Sequence, residues 1–166
     1  MLAGEESSEA TDAPFHIVLV EPQIPPNTGN VARLCAATGC RLHLVEPLGF
    51  SIGDRELKRA GLDYWDAVDV VTHRSLEAFL ETWRAPLWLH TTRAQQTYRA
   101  MRYARGDGLA FGSESAGLPR SLLAAMPERT VRIPMRTNCV RSLNLSTCVG
   151  IATYAALADI GFPGLA

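Results

Sequence analysis

Lysine is almost absent from this chain. Of its 16 basic residues only Lys58 is lysine, and the other fifteen are arginine. Arginine suits bidentate phosphate contacts and stacking on bases, but a genome-wide codon preference gives the same excess. The bias permits a nucleic-acid partner without demanding one. Cysteine is scarce too. Cys35, Cys40, Cys139 and Cys148 form no C-x-x-C pair, and none of the four histidines completes a zinc set. This argues against a metal site and a disulfide framework, and for buried free thiols in a reducing compartment. No apolar run approaches the roughly 20 residues that span a bilayer. Residues 1–13 lack the basic start and apolar stretch of a secretory signal, so a cytoplasmic protein is expected. Also missing are GxxxxGK[ST], G-x-G-x-x-G and G-x-S-x-G. Their absence removes support for a P-loop, a classical dinucleotide fold and a hydrolase elbow.

What is present describes one soluble domain. The 166 residues are 47% hydrophobic and 20% charged, ordinary values for a globular chain long enough to bury a core. The net charge of -1 hides an asymmetry. Glu5, Glu6, Glu9 and Asp12 give residues 1–13 a charge of -4, and the rest holds 16 bases against 13 acids, a net of +3. Residues 1–13 read as a disordered acidic tail, and residues 14–166 as the folded domain.

Residues 15–20 are a continuous apolar run, as for a parallel strand covered on both faces. Residues 21–26, with three prolines, read as a stiff non-helical loop. Asn27 to Asn30 then cap a helix that stops at Gly39, and residues 41–45 form the second strand. Strand, helix, strand in so short a span is a βαβ unit, hence a parallel sheet. Further on, a short helix is expected at 54–61 and strands at 67–71, 86–90, 108–112 and 130–133. Helices should open at Ser75 and at Pro119, the latter continuing to Ala125. A last helix runs to Asp159 behind Asn144 and Ser146, both good N-caps. Its residues 147–158 are apolar or small on nearly every side, which predicts burial most of the way round. The fold class is α/β, a mostly parallel sheet flanked by helices.

Three polar loops share one design, each following a strand and preceding a helix: residues 27–30, 112–117 and 138–146. With parallel strands they gather at one edge of the sheet, where open α/β sheets hold ligands. Glu114 is the one acid among small residues, read either as a helix-start charge or as an acceptor that orients a loop or substrate. Arg33 lies one turn into an apolar helix, where it either snorkels to the surface or offers a guanidinium to an anion. His16 and His43 sit within strands, as packed, satisfied imidazoles do. Arg93, Tyr98, Arg99, Arg102, Tyr103 and Arg105 interleave charge and rings. That pattern fits single-stranded nucleic acid or an ordinary solvated hairpin.

Three segments together carry a resemblance: Glu21-Pro-Gln-Ile-Pro-Pro-Asn-Thr-Gly-Asn-Val-Ala-Arg33, Phe111-Gly-Ser-Glu-Ser-Ala-Gly-Leu-Pro119, and Ile133-Pro-Met followed by Ser142-Leu-Asn-Leu-Ser146. In this order and at these distances they resemble the three motifs of the trefoil-knotted (SPOUT-class) RNA methyltransferases. The likeness extends through Glu46-Pro-Leu-Gly-Phe50, Arg59-Ala-Gly-Leu-Asp-Tyr64 and Gly161-Phe-Pro-Gly164, essentially all of residues 15–164. It is strongest to the subgroup that 2'-O-methylates the wobble nucleotide (cytidine or modified uridine) of transfer RNA.

The resemblance implies a deep C-terminal trefoil knot, an exception to the rule against knots, with S-adenosylmethionine bound in it. It also implies a homodimer whose interface includes the first and last helices, and a transfer RNA partner; with so small a domain, the face that meets the RNA is expected to be composite, with arginines of both subunits. The cofactor pocket would include His90, Gly112, Ile133, Ser142 and Leu143. Where His90 stands the family carries an aliphatic residue, so its contact is assigned to the backbone. Arg33, Glu114 and Asn144 would be the catalytic set, with Asn27 and Arg141 in support. The resemblance implies that Arg33 orients or deprotonates the ribose 2'-hydroxyl; an arginine base needs strong local help, which favours orientation and charge stabilisation. One departure from the family pattern is an extra residue between Met135 and Ser142. The alternatives are 2'-O-methylation of ribosomal RNA and a non-catalytic RNA-binding module.

Overall fold

The computed structural model describes residues 12–166 apart from 54, 56–58 and 60–64. Most of the acidic tail and the helix expected at 54–61 therefore lie outside the described residues. Six strands form one sheet: β1 (His16–Val20), β2 (Arg41–Val45), β3 (Val70–His73), β4 (Leu87–His90), β5 (Gly108–Phe111) and β6 (Thr130–Val131). Their order is β3-β2-β1-β5-β4-β6, and every pairing is parallel. The chain builds outward from β1 to β3, then returns to the other side, so the direction of growth reverses between β1 and β5. Such a reversal opens a crevice beyond the carboxyl ends of the strands.

Strand alternation divides the core. Ile17, Leu19, Leu42, Leu44, Leu109 and Phe111 face one way, packed with Val31 and Ala32 of α1 (Pro25–Thr38) and Val149, Ala152 and Leu157 of a long C-terminal helix. Val18, Val20, Val45, Leu89 and Ala110 face the other way. They meet Phe79 of α2 (Leu76–Thr82) and Leu122 of α3 (Arg120–Ala125). The C-terminal helix is α4 (Leu145–Asp159). Removing each large aliphatic side chain from water stabilises the fold by about 1.5–3 kcal/mol.

Several elements depart from the sequence reading. α1 begins at Pro25, inside the expected loop, with both prolines in its first turn. That turn has no use for the N–H groups proline lacks, so the proline pair starts the helix instead of preventing it, and Asn27 is a helical residue. Strand β3 begins at Val70 rather than residue 67, because Trp65–Ala67 winds as a 3-10 turn. β6 is only two residues long. Ser75 caps α2 as expected, its hydroxyl accepting from the Ala78 N–H at 3.1 Å. Gly39 ends α1 with φ of 75°, a conformation glycine takes without strain.

α4 is buried on one face, not most of the way round. Leu145, Val149, Ala152, Thr153, Ala156 and Leu157 are inside, whereas Tyr154 is 46% exposed. Its ring lies 6.3 Å from that of Phe162, itself 41% exposed. The segment 93–107 is not a hairpin. It holds a 3-10 turn at Tyr98–Ala100 and an isolated parallel bridge from Thr97 to Arg132. Tyr103 is only 4% exposed and donates its hydroxyl to the Tyr98 carbonyl at 2.7 Å, so it is unavailable for stacking on a base. Cys35 and Cys40 are buried, but Cys139 is exposed. No helix among the described residues is long and apolar enough to cross a membrane.

Candidate active site

The three polar loops do converge, at the carboxyl ends of β1, β5, β4 and β6. They enclose a cleft of about 910 Å³, within the rough range of 300–1,000 Å³ usual for small-molecule sites. Its lining includes Asn27, His90, Gly112, Glu114, Ile133, Arg141, Ser142, Leu143 and Asn144. Nine of the ten residues named from the sequence are therefore brought together. Arg33 is the exception. It is exposed on the outer face of α1 and is not among the residues lining the cleft.

A hydrogen-bonded chain ties the loops to one another. The Glu114 carboxylate accepts the backbone N–H groups of Gln23 (2.8 Å) and Ile24 (3.0 Å) and the Asn27 side-chain amide (3.2 Å). Ile24, the N-cap of α1, has no capping side chain of its own. Glu114 supplies that function from another loop, with its charge at the positive end of the helix. Asn27 in turn accepts from the Asn144 amide at 3.0 Å. The Asn144 Oδ1 caps α4, accepting from the N–H groups of Ser146 (2.9 Å) and Thr147 (3.3 Å). Asn144 is thus the cap, and Ser146 lies inside the helix. Glu114, Asn27 and Asn144 have their polar atoms committed to holding the cleft in shape.

The middle loop is folded back hard. Ser113 bridges to Gly117, and a Cβ on Gly112 would stand 1.9 Å from the Gly117 carbonyl carbon and 2.0 Å from the Leu118 nitrogen. Only glycine fits there, so backbone rather than side chain forms this wall. At the end of β1, Glu21 has φ of 53°, an uncommon conformation for a residue with a side chain. It borders the cleft.

His90 is 9% exposed and stacks on Phe111, centroids 4.3 Å apart and planes 16° from parallel. Burial pushes its pKa down to about 4, opposed by the carbonyls of Ala110 and Trp88. Neither ring nitrogen reaches solvent, and neither has a hydrogen-bond partner of good geometry. The sequence reading missed Glu21, Arg93, Arg120 and Leu118 as lining residues. Arg93 carried a usable signal, since it follows β4 closely and loops beyond strand carboxyl ends hold ligands. No group of three or more His, Cys, Asp or Glu suited to a metal ion occurs among the described residues.

The arrangement offers an apolar, backbone-walled depth and a charged margin. That suits a cofactor with a flat heterocycle at one end and a charged tail at the other. Comparison with known proteins agrees. The model of the SpoU rRNA Methylase family matches residues 14–154. A tRNA (cytidine(34)-2'-O)-methyltransferase of Escherichia coli (strain K12) is 48% identical over 152 residues, covering 90% of this chain and 96% of that protein. The enzyme of the same name from Yersinia pestis is 46% identical over 157 residues, covering 90% and 96%. A solved structure described as giving insights into the 2-OH methylation of C/U34 on tRNA superposes with a TM-score of 0.84. It is 46% identical and is covered to 96%, with 89% of this chain aligned. The chain belongs to the SpoU rRNA Methylase family.

Proposed function

We propose that this protein transfers a methyl group from S-adenosylmethionine to the ribose 2'-hydroxyl of the wobble nucleotide, cytidine or modified uridine, in the transfer RNA anticodon loop. The observation that carries the reading is the convergence of Asn27, Glu114 and Asn144 into one linked frame around the cleft. Near-complete coverage of two relatives bearing that activity in their names supports the same substrate.

S-adenosylmethionine supplies an electrophilic methyl group when bound. The cleft fits it: the Gly112 wall admits close approach, and Phe111, Leu118, Ile133 and Leu145 offer apolar contact. Arg93, Arg120 and Arg141 stand at the margin for its carboxylate. Ser142 and Leu143, which line the cleft, would hold it through the loop that precedes α4. The chain's own contribution to rate is orientation, because fixing the hydroxyl in line with the methyl group removes much of the entropic barrier. The segment after β6 supports the knot reading. Arg132 hydrogen-bonds across to Gln96 and Tyr98 in the segment after β4, and α4 then packs back on α1.

The reading includes a homodimer in the cytoplasm, joined through α1 and α4. Tyr154 and Phe162 form a half-exposed apolar surface on α4 and just after it, which a second copy would cover. Arg33 lies outside the cleft of its own chain, so in the dimer it serves the partner's cleft, orienting the ribose hydroxyl there. Purified protein should transfer labelled methyl groups to transfer RNA. Arg33→Ala should abolish transfer while retaining cofactor affinity, and normal turnover by that variant would remove Arg33 from the mechanism. A ribosomal substrate is the second reading, favoured by the family's description.

A further inference from the structure

Among the cleft-lining residues that carry a side chain, only Glu21 has a positive φ, 53°. Such a conformation persists where its surroundings over-determine it, and it clusters at functional sites. Both neighbours of Glu21 are tied. The Glu21 N–H donates to the Val45 carbonyl at 2.9 Å, and the Pro22 carbonyl accepts from the Gly49 N–H at 2.9 Å. Gln23 is held through its backbone by Glu114 at 2.8 Å and through its side chain by Ser115 at 2.7 Å. The backbone of Glu21 is therefore fixed at the end of β1, beside the reversal between β1 and β5. Its carboxylate makes no hydrogen bond or ion pair among the described residues.

Methyl transfer to a hydroxyl leaves a proton to be placed, and the other groups of the cleft are poorly suited to take it. Arginine has no acceptor. The Glu114 carboxylate is filled by three donors, and the Oδ1 atoms of Asn27 and Asn144 already accept. The His90 nitrogens are sealed from solvent, and burial raises the Cys148 thiol, away from thiolate. We infer that the Glu21 carboxylate accepts the hydrogen bond of the target ribose 2'-hydroxyl and takes its proton during transfer. This deepens the activity proposed above and rests on it. As the 2'-oxygen bonds to the methyl carbon and the carbon–sulfur pair returns to sulfur, the hydroxyl proton passes to Glu21 and then to water. Arg33 donates to the oxygen, and Glu21 accepts the hydrogen.

The test compares wild type, Glu21→Gln and Glu21→Gly. Single-turnover methyl transfer to transfer RNA should fall about 100-fold or more in both variants, the usual contribution of a positioned base. From neutral pH upward the wild-type rate should stay level. Glu21→Gln, left with hydroxide as its proton acceptor, should speed up with pH. Calorimetric affinity for S-adenosylhomocysteine should be unchanged in both, and the melting temperature of Glu21→Gly unchanged or higher, since glycine relieves the positive φ. With S-adenosylhomocysteine bound, wild type should prefer transfer RNA about tenfold over the same RNA carrying a 2'-deoxy target nucleotide. Glu21→Gly should lose most of that preference. Wild-type rates in Glu21→Gln, or an undiminished preference in Glu21→Gly, would overturn the assignment while leaving the methyl-transfer reading intact. Activity lost together with melting temperature or S-adenosylhomocysteine affinity would also overturn it, making Glu21 a structural or cofactor-binding residue. A wild type that methylates no transfer RNA would instead overturn the reading above, and this inference with it.

Discussion

The side-chain amide of Asn144 donates to the Oδ1 of Asn27 across 3.0 Å, between residues 117 positions apart. That bond joins the N-terminal ends of α1 and α4, and Glu114 extends it to the loop after β5. Three loops that meet nowhere in sequence become one rigid frame.

Glu114→Gln keeps the shape of the side chain but turns one acceptor into a donor facing N–H groups. Hydrogen bonds to a charged group contribute about 1.5–3 kcal/mol, and Gln retains part of that. The expected loss is about 1–2 kcal/mol of stability with weaker cofactor binding, read from urea midpoints and calorimetry. An unchanged midpoint would mean the carboxylate is not the effective cap of α1.

Gly112→Ala forces a Cβ to within 1.9 Å of the Gly117 backbone, where no flexible side chain can yield. The loop must open, at an expected cost above about 3 kcal/mol, and cofactor affinity should vanish. Melting and binding measurements on this variant would contradict the backbone-wall account if both matched wild type.

Three histidines on adjacent strands form a relay. His16 Nδ1 lies 2.9 Å from His43 Nε2, and His43 Nδ1 lies 2.9 Å from His73 Nε2. Phe79 and Trp83 pack edge-on against the His43 ring. Burial, then the neighbouring imidazoles and Arg41, pushes the His43 pKa down to about 3; His16 and His73 are lowered too, mainly by burial. A folded value below the unfolded one means the unfolded chain binds more protons on acidification. The fold is therefore unpenalised well above pH 6.5 and is destabilised progressively from there towards pH 3. Between pH 7.5 and 5 His43 alone should cost about 2 kcal/mol. Urea midpoints at pH 7.5 and 5 should differ more in wild type than in His43→Leu, and equal differences would refute the relay's role.

Tyr154→Arg places a charge on the half-exposed apolar surface of α4. On the proposed dimer, light scattering should show this variant as a monomer and the wild type as a dimer, with methyl transfer lost because Arg33 would no longer reach a partner's cleft. A fully active monomer would contradict the composite site.

Local features were legible in the sequence and distant ones were not. The apolar runs of β1 and β2 mark strands buried on both faces, and both strands were readable to within a residue. Gly39 and Ser75 announce helix boundaries through their own backbone and side-chain chemistry. The start of α1 was misread because its cap comes from Glu114, 90 residues away from Ile24. The histidine relay was legible only as single packed imidazoles, since strand order decides which rings meet. Tyr103 looked available for stacking because nothing nearby in sequence reveals that its hydroxyl turns inward to Tyr98. The motif residues of the cleft were named from family likeness. Glu21 and Arg120 lie beyond those assignments and needed the folded chain, whereas Arg93 was within reach from its place just after β4.

The most direct test is nucleotide-resolved mapping of 2'-O-methylation in transfer and ribosomal RNA from cells with and without this gene. The account predicts one lost methyl group at the wobble position of transfer RNA, restored by wild type and not by Arg33→Ala. An intact wobble position with a methyl group missing from ribosomal RNA, or no change in either RNA, would contradict it.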